Sequence, residues 1–111
     1  MQDFYNAIKT LASGRVYPLV APQGVDYPAL VYTPVDQEHI VGMNGLHGVQ
    51  RVRVQVDAYA RTYAEAIALQ DQVRDAVVAS KNTVAEVRMV LTDFEEETRL
   101  YRVAVDYTYH R

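Results

Sequence analysis

With 111 residues, half of them apolar and about a quarter charged, the chain has the composition of one ordinary globular domain of roughly 100–150 residues. It has no cysteine, which excludes a disulfide framework, a cysteine-based zinc site and a thiol nucleophile. The formal net charge of −3, with Lys and Arg dispersed, gives no clustered cations to displace phosphate counterions, so direct nucleic-acid binding is disfavoured.

The first predicted element is a helix over Asp3 to Ser13, where Phe4, Ile8 and Leu11, with Ala7 and Ala12, recur at helical spacing. Gly14 is placed to end it. Arg15 to Val20 is a short strand in which Pro18 implies an edge or a bulge. Pro22, Gly24 and Pro28 punctuate a turn, and Ala29 to Tyr32 is a second strand, closed by Pro34. Val35 to Val49 carries three glycines and two histidines without periodicity, and reads as a mobile loop of about 15 residues, with or without a hairpin of its own.

Gln50 to Ser80 holds the strongest local signals. Val52, Val54, Val56 and Ala58 alternate with Arg51, Arg53, Gln55 and Asp57, the period-2 pattern of a strand with one buried face. Thr62 and Glu65 form a capping-box pair. A helix then runs on through Ala66, Leu69, Val73, Ala76 and Val77 to Ser80. Two strands close the chain. Val84 to Phe94 is mostly apolar, and Leu100 to His110 places Tyr101, Val103, Val105, Tyr107 and Tyr109 on one face. The glutamates of Glu95-Glu96-Glu97-Thr98 sit in the expected hairpin turn. The order α-β-β-β-α-β-β implies a single α+β domain, with an antiparallel or mixed sheet and helices on one face.

Candidate chemistry is sparse. Asp36, Glu38, His39 and His47 match no zinc spacing, and a mobile polar loop routinely carries such residues. Asp93, Glu95, Glu96 and Glu97 place four carboxylates in five residues, a pattern more typical of a solvated hairpin than of an acid–base pair. Gly42 to Gly48 lacks both phosphate-cradle patterns. Ser13 and Ser80 stand at helix ends, where capping explains them. The expectation is therefore no catalytic residue, no metal and no cofactor. The nine tyrosines suit half-buried sheet positions and protein interfaces alike. No apolar run approaches the roughly 18 residues of a membrane-spanning helix. Met1-Gln2-Asp3-Phe4-Tyr5 has neither the basic start nor the apolar core of a signal peptide, so the expected location is the cytoplasm.

Several segments together carry a resemblance. Gly14-Arg15-Val16-Tyr17-Pro18, Pro28-Ala29-Leu30-Val31-Tyr32, the strand Val52 to Tyr59 and the helix with Ala64-Glu65-Ala66 stand in an order that resembles the tail completion, or tail-to-head joining, family of long-tailed phages and prophages. That resemblance implies a virion structural protein that assembles as a homo-oligomeric ring, typically a hexamer, at the head-proximal end of the tail. Its implied partners are further copies of itself, the tail tube protein and the head connector protein, with DNA passing through without specific binding and no membrane involved. It implies assembly in the host cytoplasm and no catalytic residues. Met43, Leu46 and His47 of the glycine-rich loop, with Tyr17 and Pro18 on the expected edge strand, are the subunit-interface candidates; the equal alternative for Met43 and Leu46 is to tuck back onto their own domain. Asp93, Glu95, Glu96 and Glu97 are the channel-lining candidates, since a negative wall would keep passing DNA from adhering. The competing expectation is a small cytosolic α+β module that binds a ligand or peptide, and a small enzyme ranks below both.

Overall fold

A computed structural model describes the backbone of residues 2–41, 48–80 and 83–110, and their side chains apart from those of 2–3, 36–41, 48–50 and 83–85. Helix α1 spans Gln2–Ile8 and is followed by a 3-10 turn, Leu11–Gly14. Strands β1 (Val16–Pro18), β2 (Ala29–Val41) and β3 (Gly48–Ala60) precede helix α2 (Tyr63–Ala79), and β4 (Thr83–Glu95) and β5 (Leu100–His110) end the chain. The strands form one mixed sheet in the order β1-β2-β3-β5-β4. Among the described residues only the β1–β2 pair is parallel. The expected element order and the α+β class are thus both present, with helices over one face of the sheet.

The core lies between that face and the helices. Val52, Val54, Val56 and Ala58 of β3 pair with Tyr109, Tyr107, Val105 and Val103 of β5, so their side chains share one face. Over them sit Phe4 and Ile8 of α1 and Ala66, Leu69, Val73 and Val77 of α2, all buried. Full burial of a Val, Ile or Phe side chain contributes roughly 1.5–3 kcal/mol. The tyrosine stripe of β5 belongs mostly to this core: Tyr107 and Tyr109 are buried against Phe4, at ring-centroid distances of 6.1 and 5.7 Å, and Tyr101 is half-buried.

Helix α2 starts where the capping signal predicts, with the Glu65 N–H donating to Thr62 Oγ1 at 3.2 Å. It ends at Ser80, whose N–H donates to the carbonyls of Ala76 and Val77 while its backbone turns extended. The buried face of α2 includes one polar residue. Gln70 Nε2 donates to the carbonyls of Val56 and Val103, each at 2.8 Å, and Gln70 Oε1 accepts from the Tyr107 hydroxyl at 3.1 Å. One side chain thereby ties the helix to both central strands.

Two expectations need correction. The first helix ends at Ile8 rather than Ser13, because Ala12 and Ser13 take left-handed conformations (φ +50° and +55°) and Gly14 follows at +83°. Leu11 and Ala12 reach the core from this turn instead of from a helical face. Second, the expected loop over Val35–Val49 is largely strand. β2 continues past Pro34 to Val41 and pairs with β3 as far as Val41↔Gly48; residues 42–47 lie outside the described residues. Proline breaks a ladder only where its missing N–H is needed. Pro34 stands beside a register shift, and β1 ends opposite Tyr32, so the outer side of β2 is already unpaired there. Past the row shared by Arg51 and His110, β2 and β3 pair, among the described residues, only with each other and form a two-stranded arm. The long dimension of 53 Å, against 23 Å in the other two, reflects this extension.

Candidate interaction surfaces

The acidic hairpin closes the end of the sheet opposite the arm. Between β4 and β5, the Arg99 N–H donates to the Glu95 carbonyl at 2.7 Å, with Arg99 at φ +57°. The Glu95 carboxylate accepts from the Thr98 hydroxyl at 3.0 Å, and Asp93 Oδ1 accepts from the Phe94 N–H at 2.8 Å. Asp93, Glu96 and Glu97 are exposed and Glu95 is half-buried. These contacts are local turn chemistry, and they concentrate four carboxylates at one end of an elongated molecule.

Of the expected interface residues, Tyr17 and Pro18 do lie on an edge strand, β1, half-buried and exposed respectively. Met43, Leu46 and His47 lie outside the described residues. Among the described residues no cluster of three metal-ligating side chains occurs, and no helix is long and apolar enough to cross a membrane.

The face of the sheet away from the helices carries a recess of about 210 Å³, lined by Leu19, Val20, Tyr27, Asp57, Tyr59 and Glu95 among others. The β1–β2 connection folds onto this face, with Tyr27 meeting Tyr59 edge-on at 6.4 Å. Inside it, Asp57 is buried and accepts from Gln55 Nε2 at 3.0 Å and from Arg102 Nη2 at 3.2 Å. Burial works against the Arg102 charge, but Asp57, together with Tyr59 and Glu95, outweighs it and holds the guanidinium above its ordinary pKa; at Tyr59 burial acts the other way and raises the hydroxyl. The pair joins β3 to β5 across the sheet. It offers no nucleophile or acid–base couple, so its chemistry is that of a structural tie.

A further surface was not singled out from the sequence. Strand β4 is the second edge of the sheet, and Val87, Met89, Val90, Leu91 and Phe94 along it are exposed. Its pairing to β5 shifts register between Val84 and Glu86 and again between Met89 and Leu91. α2 packs mainly over β3 and β5, which leaves a groove beside β4 lined by Ile67, Val87, Met89, Val105 and Tyr107 with Asp71 and Arg74 at its rim. An apolar run bounded by turns signals a strand but not whether it is central or marginal, which is why the sequence pattern did not reveal an edge.

The architecture is thus an α+β domain whose notable surfaces are two sheet edges and a charged hairpin. The chain belongs to the tail completion protein gp17 family, whose model matches residues 5–109. It is therefore a structural protein of the phage tail. Its fold is similar to that of a chain in the virion of a native gene transfer agent particle, with a TM-score of 0.62 and 15% identity over 96% of this chain and 90% of the other. No curated protein matches the chain by sequence.

Proposed function

We propose that the chain is a non-enzymatic ring subunit at the head-proximal end of the tail, where it caps the tail tube, joins the tail to the head connector, or does both. The observation that carries this reading is the family match across residues 5–109, essentially the whole described fold. The occurrence of the same fold in a virion particle supports it. On this reading the partners are other copies of the chain, the tail tube protein and the head connector protein, and assembly takes place in the host cytoplasm. The channel candidates Asp93, Glu95, Glu96 and Glu97 would repel the DNA that passes. Tyr17 and Pro18, and with them Met43, Leu46 and His47, would meet neighbouring subunits.

The experiment is deletion of the gene from the phage or prophage that carries it, followed by electron microscopy of the lysate. The expected particles are DNA-filled heads without tails beside free tails. Free tails of normal length indicate joining, and tails of uncontrolled length indicate capping. Intact infectious particles would overturn the proposal.

A further inference from the structure

The two edges of the sheet are unlike each other, yet they meet the same three rows. Val16 of β1 continues through Leu30, Ala58 and Val103 to Thr92 of β4. Tyr17 continues through Val31, Asp57 and Ala104 to Leu91, and Pro18 through Tyr32, Val56 and Val105 to Met89. The short edge β1 therefore stands at the same height as the apolar stretch Met89–Leu91 at the far edge. Both places carry large exposed apolar side chains: Leu19 and Val20 at 68% and 72%, Met89 and Val90 at 55% and 51%. Apolar side chains this open at a sheet edge mark an interaction site or an aggregation liability.

From this we infer that the occupant of the β4 edge is the β1 edge of a second copy of the same chain, in a head-to-tail contact; the inference rests on the ring reading above. Rotation about an axis along the strands keeps every row at its height and preserves strand direction. β1 and β4 run in opposite directions, so such a rotation brings them together antiparallel, with Tyr17 beside Leu91 and Pro18 beside Met89. Tyr17 and Leu91 would then share the face away from the helices. The contact is made chiefly by side chains, because Pro18 has no N–H and its carbonyl already accepts from Val20 at 2.7 Å. A contact between two different edges is heterologous, and its repetition closes a ring or grows a filament. Pairing of β4 with β4 across a two-fold axis would leave the apolar side chains around β1 uncovered.

The chain has no cysteine, so introduced thiols report without background. Purified Tyr17→Cys/Leu91→Cys protein is concentrated, treated with a short bis-maleimide and resolved on a denaturing gel, with circular dichroism to confirm the fold of each variant. The expected result is a ladder from dimer upward for the double variant and a dimer alone for a mixture of the two single variants. Neither single variant by itself should cross-link. Dimers from Leu91→Cys alone would show β4 pairing with itself and overturn the inference. Rings visible by negative stain without the ladder would overturn this interface while leaving the ring intact. Absence of both rings and ladder would overturn the ring reading as well.

Discussion

Replacing Gln70 with leucine keeps the size of the side chain and removes its polar atoms, which isolates the tie between α2 and the sheet. Two hydrogen bonds to the carbonyls of Val56 and Val103 are lost, each at 2.8 Å in the native protein. At about 1 kcal/mol each this amounts to roughly 2 kcal/mol. The Tyr107 hydroxyl loses its 3.1 Å acceptor and retains only the Gln70 carbonyl at 3.4 Å, and a buried donor left poorly paired costs about 1–3 kcal/mol more. The leucine side chain recovers about 1–2 kcal/mol by burial, leaving a net loss of about 2–3 kcal/mol. With an unfolding entropy near 2.1 cal/mol/K per residue, a chain of this length should melt about 10 °C lower. Thermal and urea unfolding followed by circular dichroism read the change. In a double-mutant cycle with Tyr107→Phe, the second substitution should cost clearly less in the Gln70→Leu background than alone, by about 1 kcal/mol. A Gln70→Leu protein that melts within about 2 °C of the native one would refute this account of how the helix is held.

Three other outcomes follow from the same structure. Phe4→Ala should cost about 3–5 kcal/mol in urea unfolding, since the ring is fully buried against Tyr107 and Tyr109, whereas Val20→Ser should leave the stability of the monomer unchanged within about 0.5 kcal/mol. Burial pushes the Tyr107 hydroxyl well above the ordinary tyrosine value, so the folded state keeps a proton that the unfolded chain releases above about pH 10. Its contribution is complete below that pH. Above it, stability should fall by up to about 1.4 kcal/mol per pH unit, and a Tyr107→Phe protein with the same alkaline slope as the native one would contradict this. Replacing Glu95, Glu96 and Glu97 with lysine should impair DNA ejection more than assembly, because the turn is closed through the Glu95 backbone carbonyl. Normal ejection by that variant would remove the proposed role in the channel.

The elements legible in the sequence were those whose signal is local. Thr62 and Glu65 mark the start of α2 because capping acts within four residues, and the Tyr/Val alternation of β5 survives because one face of that strand is buried along its length. Pro18 on an edge strand followed from the chemistry of its missing N–H. What failed depended on neighbours distant in the chain. Pro34 signalled the end of a strand, yet β2 runs on, because whether a missing N–H matters depends on what lies beside it. Gln70 gave no signal either, because its partners are strand carbonyls 14 and 33 positions away and a tyrosine hydroxyl 37 positions away. The β4 edge was hidden for the related reason that apolar content does not say which residues the fold leaves uncovered. The candidate surfaces divide in the same way: the acidic hairpin was visible as a run of like charges, and the apolar edge emerged only once the strand order was known.

The central claim is that copies of this chain form a closed ring at the head-proximal end of the tail. The most direct measurement is negative-stain electron microscopy of the purified, concentrated protein, with two-dimensional class averages. The account predicts closed rings of uniform size with a central hole. A field of particles that are only monomers, or open filaments without closure, would contradict it.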